Sequence, residues 1–214
     1  MFEGFENTYK FEVKDLACSR GGRNLFEGIS FFLNPGQGLV IRGPNGSGKT
    51  SLLRILAGFL APNAGSMHWQ GEAAESGFDL LPGSTHYLGH SPALKPFLSV
   101  RENLKFWQKM LGGAAPLEEV SETTGVADFL DFPVKFLSEG QRKRVNLARF
   151  LVEPLPIWLM DEPTAGLDRD GQKTLKSLIL AHLKHGGIFI GATHQDLGIA
   201  GLKELTLGKR GGKC

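Results

Sequence analysis

Eight consecutive residues, GPNGSGKT from Gly43 to Thr50, restrict what this chain can fold into more than any other feature. They follow an almost wholly apolar pentapeptide, GLVIR (Gly38 to Arg42), and run straight into TSLLRILA, a helical stretch that stops at Gly58. A buried strand, a glycine-rich loop and a helix in that order make a cradle for phosphate. Successive backbone amides turn inward, and the helix N-terminus adds its positive end. Gly43, Gly46 and Gly48 let the backbone curl, with Pro44, Asn45 and Ser47 between them. Lys49 places a cation on the β- and γ-phosphates, and Thr50 offers a hydroxyl to Mg²⁺. The loop alone implies a bound nucleotide and nothing finer.

Further strands are expected at Lys10 to Leu16, Thr85 to Leu88, Ile157 to Met160 and Gly187 to Ala192. GLVIR and IWLM have no polar face, as strands of a parallel sheet covered by helices on both sides require. Helices are expected from Thr50 to Ala57, from Gln141 to Val152 and from Gly171 to Lys184, the last ending at Gly186-Gly187. Gly65 to Gly71 reads as an antiparallel hairpin element. Ser91 to Phe136 is helical in character, with breaks at Gly112-Gly113 and Pro116. The expectation is one α/β domain over residues 1–214, its core at about 1–90 and 146–214 and a helical lobe inserted at about 91–145. The tail from Gly208 to Cys214 is expected to be disordered.

IWLM delivers Asp161 and Glu162 to the C-terminal end of a strand, where open α/β sheets keep their ligands. There Asp161 suits a hold on Mg²⁺, and Glu162 suits polarising an attacking water. The same two carboxylates could instead do no more than cap the turn at Pro163. In LSEGQ (Leu137 to Gln141), Ser138 and Gln141 form an S-x-x-Q capping box that starts a helix. A capped helix start bearing Ser138 and Gly140 is itself an anion site. His194 follows the apolar strand GIFIGAT, and TAGLD (Thr164 to Asp168) reads as a loop.

Composition narrows the rest. A net charge of +2 gives no support to nucleic-acid binding, and the basic run Arg142-Lys143-Arg144 is short enough to read as a solvated helix face. Cys18 and Cys214 form neither a disulfide framework nor a metal spacing, which fits a reducing compartment. The best apolar run is broken by Pro154 and Pro156, so no membrane span is expected. The acidic, polar N-terminus is unlike a secretory signal. The expectation is a cytoplasmic protein that meets a membrane only through a partner.

Together these pieces resemble the ATP-binding-cassette (ABC) ATPases over the whole chain. Gly43 to Ser51 is similar to the family's Walker A motif, LSEGQ to its signature, IWLMDE to Walker B, TAGLD to the D-loop and His194 to the switch histidine. The resemblance implies a P-loop NTPase core with an antiparallel β element and a helical subdomain, hydrolysing ATP with Mg²⁺. It also implies two copies arranged head to tail. Each ATP would lie between Walker A of one copy and Ser138, Gly140 and Gln141 of the other, with Asp168 reaching across.

Three positions depart from the family pattern. His90 stands where a glutamine usually begins the loop that couples to the membrane partner. Arg20 stands where an aromatic ring usually stacks on adenine, a task a guanidinium can also perform. Glu139 replaces a small residue of the signature. LACSR, YLGHSPALKP, KFLSEGQRKR, PIWLMDEP and ATHQ resemble the ATP-binding subunits of cytochrome c maturation systems. That branch implies integral membrane subunits as partners, a peripheral place on the cytoplasmic face of the inner membrane, and haem export or release of a haem chaperone as the output. The ATPase of another small-molecule or lipoprotein exporter, or a soluble assembly ATPase as in iron–sulfur cluster assembly, are the alternatives.

Overall fold

An apolar run with no polar face has to be buried on both sides, and this governs the layering. The computed structural model describes residues 5, 10–69, 84–89, 91 and 93–208, together with the backbone of 72–73. Its first half runs β1 (Phe11–Arg20), β2 (Arg23–Leu33), β3 (Gly38–Arg42), α1 (Lys49–Leu56), β4 (Ala64–Trp69), β5 (Glu72–Ala73) and β6 (Thr85–Leu88). Its second half runs α2 (Val100–Leu111), α3 (Leu117–Thr124), α4 (Glu139–Val152), β7 (Ile157–Asp161), α5 (Arg169–Lys184), β8 (Ile188–Ala192) and β9 (Lys203–Thr206).

Five strands form a parallel sheet in the order β6-β7-β8-β3-β9. Alternate side chains leave it in opposite directions. Leu39, Ile41, Ile157, Leu159, Ile188 and Ile190 enter a core shared with α1 and an antiparallel sheet of order β2-β1-β4-β5. Val40, Trp158, Met160 and Phe189 enter a second core built with α2 to α5. The expected two-sided burial of GLVIR and IWLM is what the structure contains.

Three strands were not expected from the pattern, β2, the two-residue β5 and β9, and all lie at sheet edges. β2 is the partner of β1, whose register slips between Val13 and Leu16 and again around Cys18. Asp15 takes up the first slip with a φ of 48°, and Gly65 of β4 lies so close that a Cβ there would meet the Asp15 carbonyl at 2.5 Å. β4 is antiparallel as expected, with β1 as its main partner and β5 as its shorter one. Gln70 and Gly71 of the expected hairpin, and 209–214 of the expected disordered tail, lie outside the described residues.

The segment between β6 and β7 is helical. Ser99 and Glu102 close a capping box at the start of α2. Buried Asn103 accepts from the Lys95 amide and donates to the Lys95, Leu98 and Ser99 carbonyls, fastening the entering chain to α2. α4 runs unbroken through residue 145, so the expected lobe boundary falls inside a helix. Among the described residues no helix is long and apolar enough to cross a membrane.

An aromatic column fills the second core. His86 stacks on Phe150 at 4.6 Å, Phe150 meets Trp158 edge-on at 5.2 Å, and Trp158 stacks on His182 at 4.1 Å. His86 Nε2 donates to the Glu153 carbonyl at 2.7 Å, and His182 Nε2 to that of Ile188 at 3.1 Å. Burial pushes both imidazoles down to about 3, overriding the pull of those carbonyls the other way. The unfolded chain therefore takes up protons below the free imidazole value while the native chain does not. Stability is whole above about pH 6.5 and falls steadily toward about pH 3. At pH 5 the expected loss is about 2 kcal/mol per histidine. Urea unfolding between pH 7 and pH 5 checks this, and an unchanged midpoint across that window would contradict it.

Candidate functional site

The glycine-rich loop leaves β3 at Gly43 and closes at Gly48, whose left-handed φ of 98° lets α1 begin at Lys49. Neither position has room for a side chain. A Cβ on Gly43 would lie 2.6 Å from the Leu207 carbonyl, and one on Gly48 would lie 2.9 Å from the Phe26 ring. Leu25, Asn45, Gly46, Gly48, Lys49, Thr50, Ser51, Asp161 and Glu162 line a cleft of about 410 Å³. A larger hollow of about 610 Å³ beside Phe32 is mostly apolar and offers no such concentration of phosphate-binding groups, so chemistry and not size selects the site.

Lys49 is folded back on its own loop. Its ammonium donates to the Gly43 carbonyl at 2.8 Å and the Pro44 carbonyl at 3.1 Å, and lies 3.1 Å from His194 Nε2. An ammonium has only protons to give, so that contact needs the Nε2 lone pair. Asn45 Oδ1, 3.0 Å from the same nitrogen, needs a proton on it. One nitrogen cannot satisfy both, and the tautomer decides which bond exists. An arriving phosphate that draws Lys49 away removes the conflict. Ser47 Oγ is buried without a hydrogen-bond partner inside this loop.

Thr50 Oγ1 donates to Asp161 Oδ2 at 2.7 Å, joining the start of α1 to the end of β7. These are hard oxygen donors, as Mg²⁺ prefers. That ion is usually held by one or two protein groups with substrate phosphates and water, and no group of three His, Cys, Asp or Glu side chains gathers among the described residues. The residues present fit it. Glu162 Oε1 lies 3.7 Å from His194 Nε2, an ion pair only when the imidazole is protonated.

Sequence reasoning did not single out Arg42 or Leu25. Arg42 donates to the carbonyls of Thr193 and Gln195, at 2.9 and 2.7 Å, and so grips the backbone on both sides of His194. The available signal was a lone arginine ending an apolar strand. Leu25 enters the cleft from β2, whereas Arg20 stands exposed at the β1–β2 turn and is not among the lining residues. His90 lies outside the described residues.

The capping box at α4 is present as expected: Gln141 N donates to Ser138 Oγ at 3.2 Å, and Ser138 N to Gln141 Oε1 at 2.8 Å. Gly140 and Gln141 begin the helix beyond it, and no residue of 138–141 lines the cleft. Asp168 caps α5 through Gly171 N at 2.9 Å and pairs with Arg144 at 2.6 and 2.7 Å, which holds its carboxyl below the usual range.

The basic run is not a solvated face. Arg142 donates to the Leu137 carbonyl at 2.9 Å, Lys143 to the Glu162 carbonyl at 3.0 Å, and Arg144 to Asp168. All three residues are half-buried. Burial pushes the Lys143 ammonium below its ordinary value, against the pull of Asp161, Glu139 and Glu162. Charge alone misled because it does not say what a helix face looks toward. Glu139 packs against Gly166, where a Cβ would come within 3.2 Å of its carboxylate.

A family profile described as ABC transporter matches residues 26–165. A cytochrome c biogenesis ATP-binding export protein, CcmA, from Paramagnetospirillum magneticum is 45% identical over 202 residues, covering 92% of this chain and 93% of its own length. The Rhodopseudomonas palustris protein of the same name is 46% identical over 196 residues, covering 91% and 96%. Among solved structures, an ABC transporter ATP-binding protein from Pyrococcus furiosus superposes with a TM-score of 0.82 at 26% identity, covering 94% of this chain and 98% of its own. A nucleotide-free ATP-binding cassette from an ABC transporter reaches 0.77 at 20% identity, covering 93% and 87%, a likeness of fold.

The tight loop yields a direct test. Gly43→Ala forces a side chain into a φ of 142° and onto the Leu207 carbonyl. Its affinity for ATP, read by titration with a fluorescent analogue, should fall by ~10-fold or more. Unchanged affinity would show that the loop does not hold the phosphates in this conformation.

Proposed function

The chain belongs to the ABC transporter family of ATP-binding proteins, and from that premise we propose that it is the Mg²⁺-ATP-hydrolysing subunit of a membrane complex serving c-type cytochrome biogenesis. The observation that carries the ATPase reading is the convergence of Lys49, Thr50, Asp161, Glu162 and His194 at one end of the parallel sheet. The relatives named for cytochrome c biogenesis support the output.

In this reading the triphosphate takes the place of the Gly43 and Pro44 carbonyls as the partner of Lys49, and the amides of the loop and of the start of α1 receive its oxygens. Thr50 and Asp161 would hold Mg²⁺, with Asp161 keeping the threonine hydroxyl oriented. Bound there, the ion supplies positive charge to the β- and γ-phosphate oxygens. Glu162 orients the attacking water and receives its proton as the oxygen bonds to the γ-phosphorus and the bond to the bridging oxygen breaks. His194, gripped by Arg42, stands beside both Lys49 and Glu162. Arg20, exposed at the β1–β2 turn, is the proposed stacking partner of adenine.

The capped start of α4 offers a second anion site that does not line this chain's own cleft. We assign it to the ATP of a second copy, arranged head to tail, with Ser138, Gly140 and Gln141 meeting the γ-phosphate and Asp168 at the same interface. The helical lobe of about 91–145 and His90 would carry the closing movement to integral membrane subunits, placing the chain peripherally on the cytoplasmic face of the inner membrane. Haem export or release of a haem chaperone is the proposed work.

Glu162→Gln should bind ATP with little change and lose turnover by at least ~100-fold, read by phosphate release and by nucleotide titration. Lys49→Ala should instead weaken ATP binding itself. Placed in the native host, Glu162→Gln should abolish haem covalently attached to c-type cytochromes, seen by haem staining, while b-type haem persists. Full turnover would remove Glu162 from the chemistry, and normal c-type haem would sink the cytochrome assignment.

A further inference from the structure

Glu162 sits in a backbone conformation that L-residues avoid. Its φ is 45°, and Asp15 is the one other non-glycine residue with a positive φ among those described. Such a residue stays put only where its surroundings over-determine it. Both of its backbone polar groups are tied. Its amide donates to the Ala192 carbonyl at 2.8 Å, and its carbonyl accepts from Ala165 N at 3.2 Å within the local turn. The remaining lone pair of that carbonyl accepts from Lys143 Nζ at 3.0 Å, a tie from a different element, one turn into α4.

We propose that Lys143 is a positioning residue for hydrolysis: its hydrogen bond to the Glu162 carbonyl holds the strained peptide that aims the Glu162 carboxylate. This rests on Glu162 being the residue that orients water. With the amide fixed by Ala192, relaxing the positive φ means rotating about the N–Cα bond, which swings the carbonyl and the side chain together. A carbonyl held in place therefore keeps the carboxylate aimed into the cleft. Lys143 does not act on the phosphates, and it is absent from the residues lining the cleft. Its neighbours on α4 tie the same segment further along, Glu139 at Gly166 and Arg144 at Asp168. Lys143 is the contact that reaches the catalytic end, so the aim of Glu162 depends on where the start of α4 stands.

The test uses the full chain purified with the membrane subunits that co-elute with it. Lys143→Met keeps the length and loses the donor; Lys143→Gln loses the charge and keeps an N–H donor. The methionine variant should lose kcat by ~10- to 100-fold, as a misplaced reacting group does. Its KM and its affinity for a non-hydrolysable ATP analogue should stay within about twofold of the parent, because the phosphate cradle is untouched. Lys143→Gln should recover most of the lost turnover. Parental kcat in Lys143→Met overturns the proposal, and so does equal loss in both variants, since the hydrogen bond and not the charge is what is assigned. Loss of the folded chain or of ATP affinity in Lys143→Met gives Lys143 a merely structural role and overturns it too. Glu162→Gln, assayed alongside, separates the two readings. If it turns over normally the role of Glu162 itself fails; if it is inactive while Lys143→Met is normal, the positioning role alone fails.

Discussion

Ala192, at the end of β8, pairs with Ile41 of β3 on one side and with Asp161 of β7 on the other. That shared register sets the level at which three chain segments leave the sheet. The glycine-rich loop begins two residues past Ile41, Glu162 follows Asp161, and His194 comes two residues after Ala192. Parallel strands with buried faces cannot slip by one residue without turning every apolar side chain to the wrong core. The packing of Leu39, Ile41, Leu159 and Ile190 on one face, and of Val40, Met160 and Phe189 on the other, therefore fixes the height of the proposed catalytic groups. The Thr50–Asp161 hydrogen bond then closes the gap across the sheet between α1 and β7. No loop has to find the site independently; each is delivered to it by a strand.

Delivery to the right height leaves direction unsettled, and direction is where this fold stores strain. Glu162 departs from β7 with a left-handed φ, a conformation worth of order 1–2 kcal/mol for a residue with a Cβ. His194 leaves β8 between two carbonyls held by a single guanidinium. In both cases a cationic side chain donates to backbone carbonyls, and the one carboxylate paired with Arg42, Glu204 at 3.9 Å, lies outside the cleft lining. Carbonyl partners fix orientation without neutralising the charges that the chemistry needs.

Much of this frame was legible in the residues. GLVIR and IWLM could only be interior strands, and S-x-x-Q could only begin a helix well. The edge strands were not legible. β2 carries exposed residues, a positive-φ Gly28 and a slipped register, so its alternation is broken. β9 has four residues between loops and owes its place to β3. The arginine-lysine-arginine run was misread for a different reason. Its local context, a polar helix start, is the same whether the face meets water or the segment from Glu162 to Asp168, and only the fold supplies what lies opposite. Arg42 was hidden likewise: a charge at a strand end reads as a surface residue until the neighbouring strand brings Thr193 and Gln195 beside it.

α4 is therefore the element in which the two halves of the proposed dimeric site meet. Its first turn is closed by Ser138 and Gln141 and takes no part in lining the chain's own cleft. Its second half, from Val145 to Val152, is buried in the second core and cannot shift without disturbing Phe150 and the aromatic column. A force applied at the capped end by a second copy's nucleotide has few compliant routes. It can bend the lobe, or it can pass through Glu139, Lys143 and Arg144 into the segment from Glu162 to Asp168. The second route ends on the carboxylate of this chain's own site. On the proposed arrangement, occupancy of one site would bear on the aim of the other through three side chains within a turn and a half of helix.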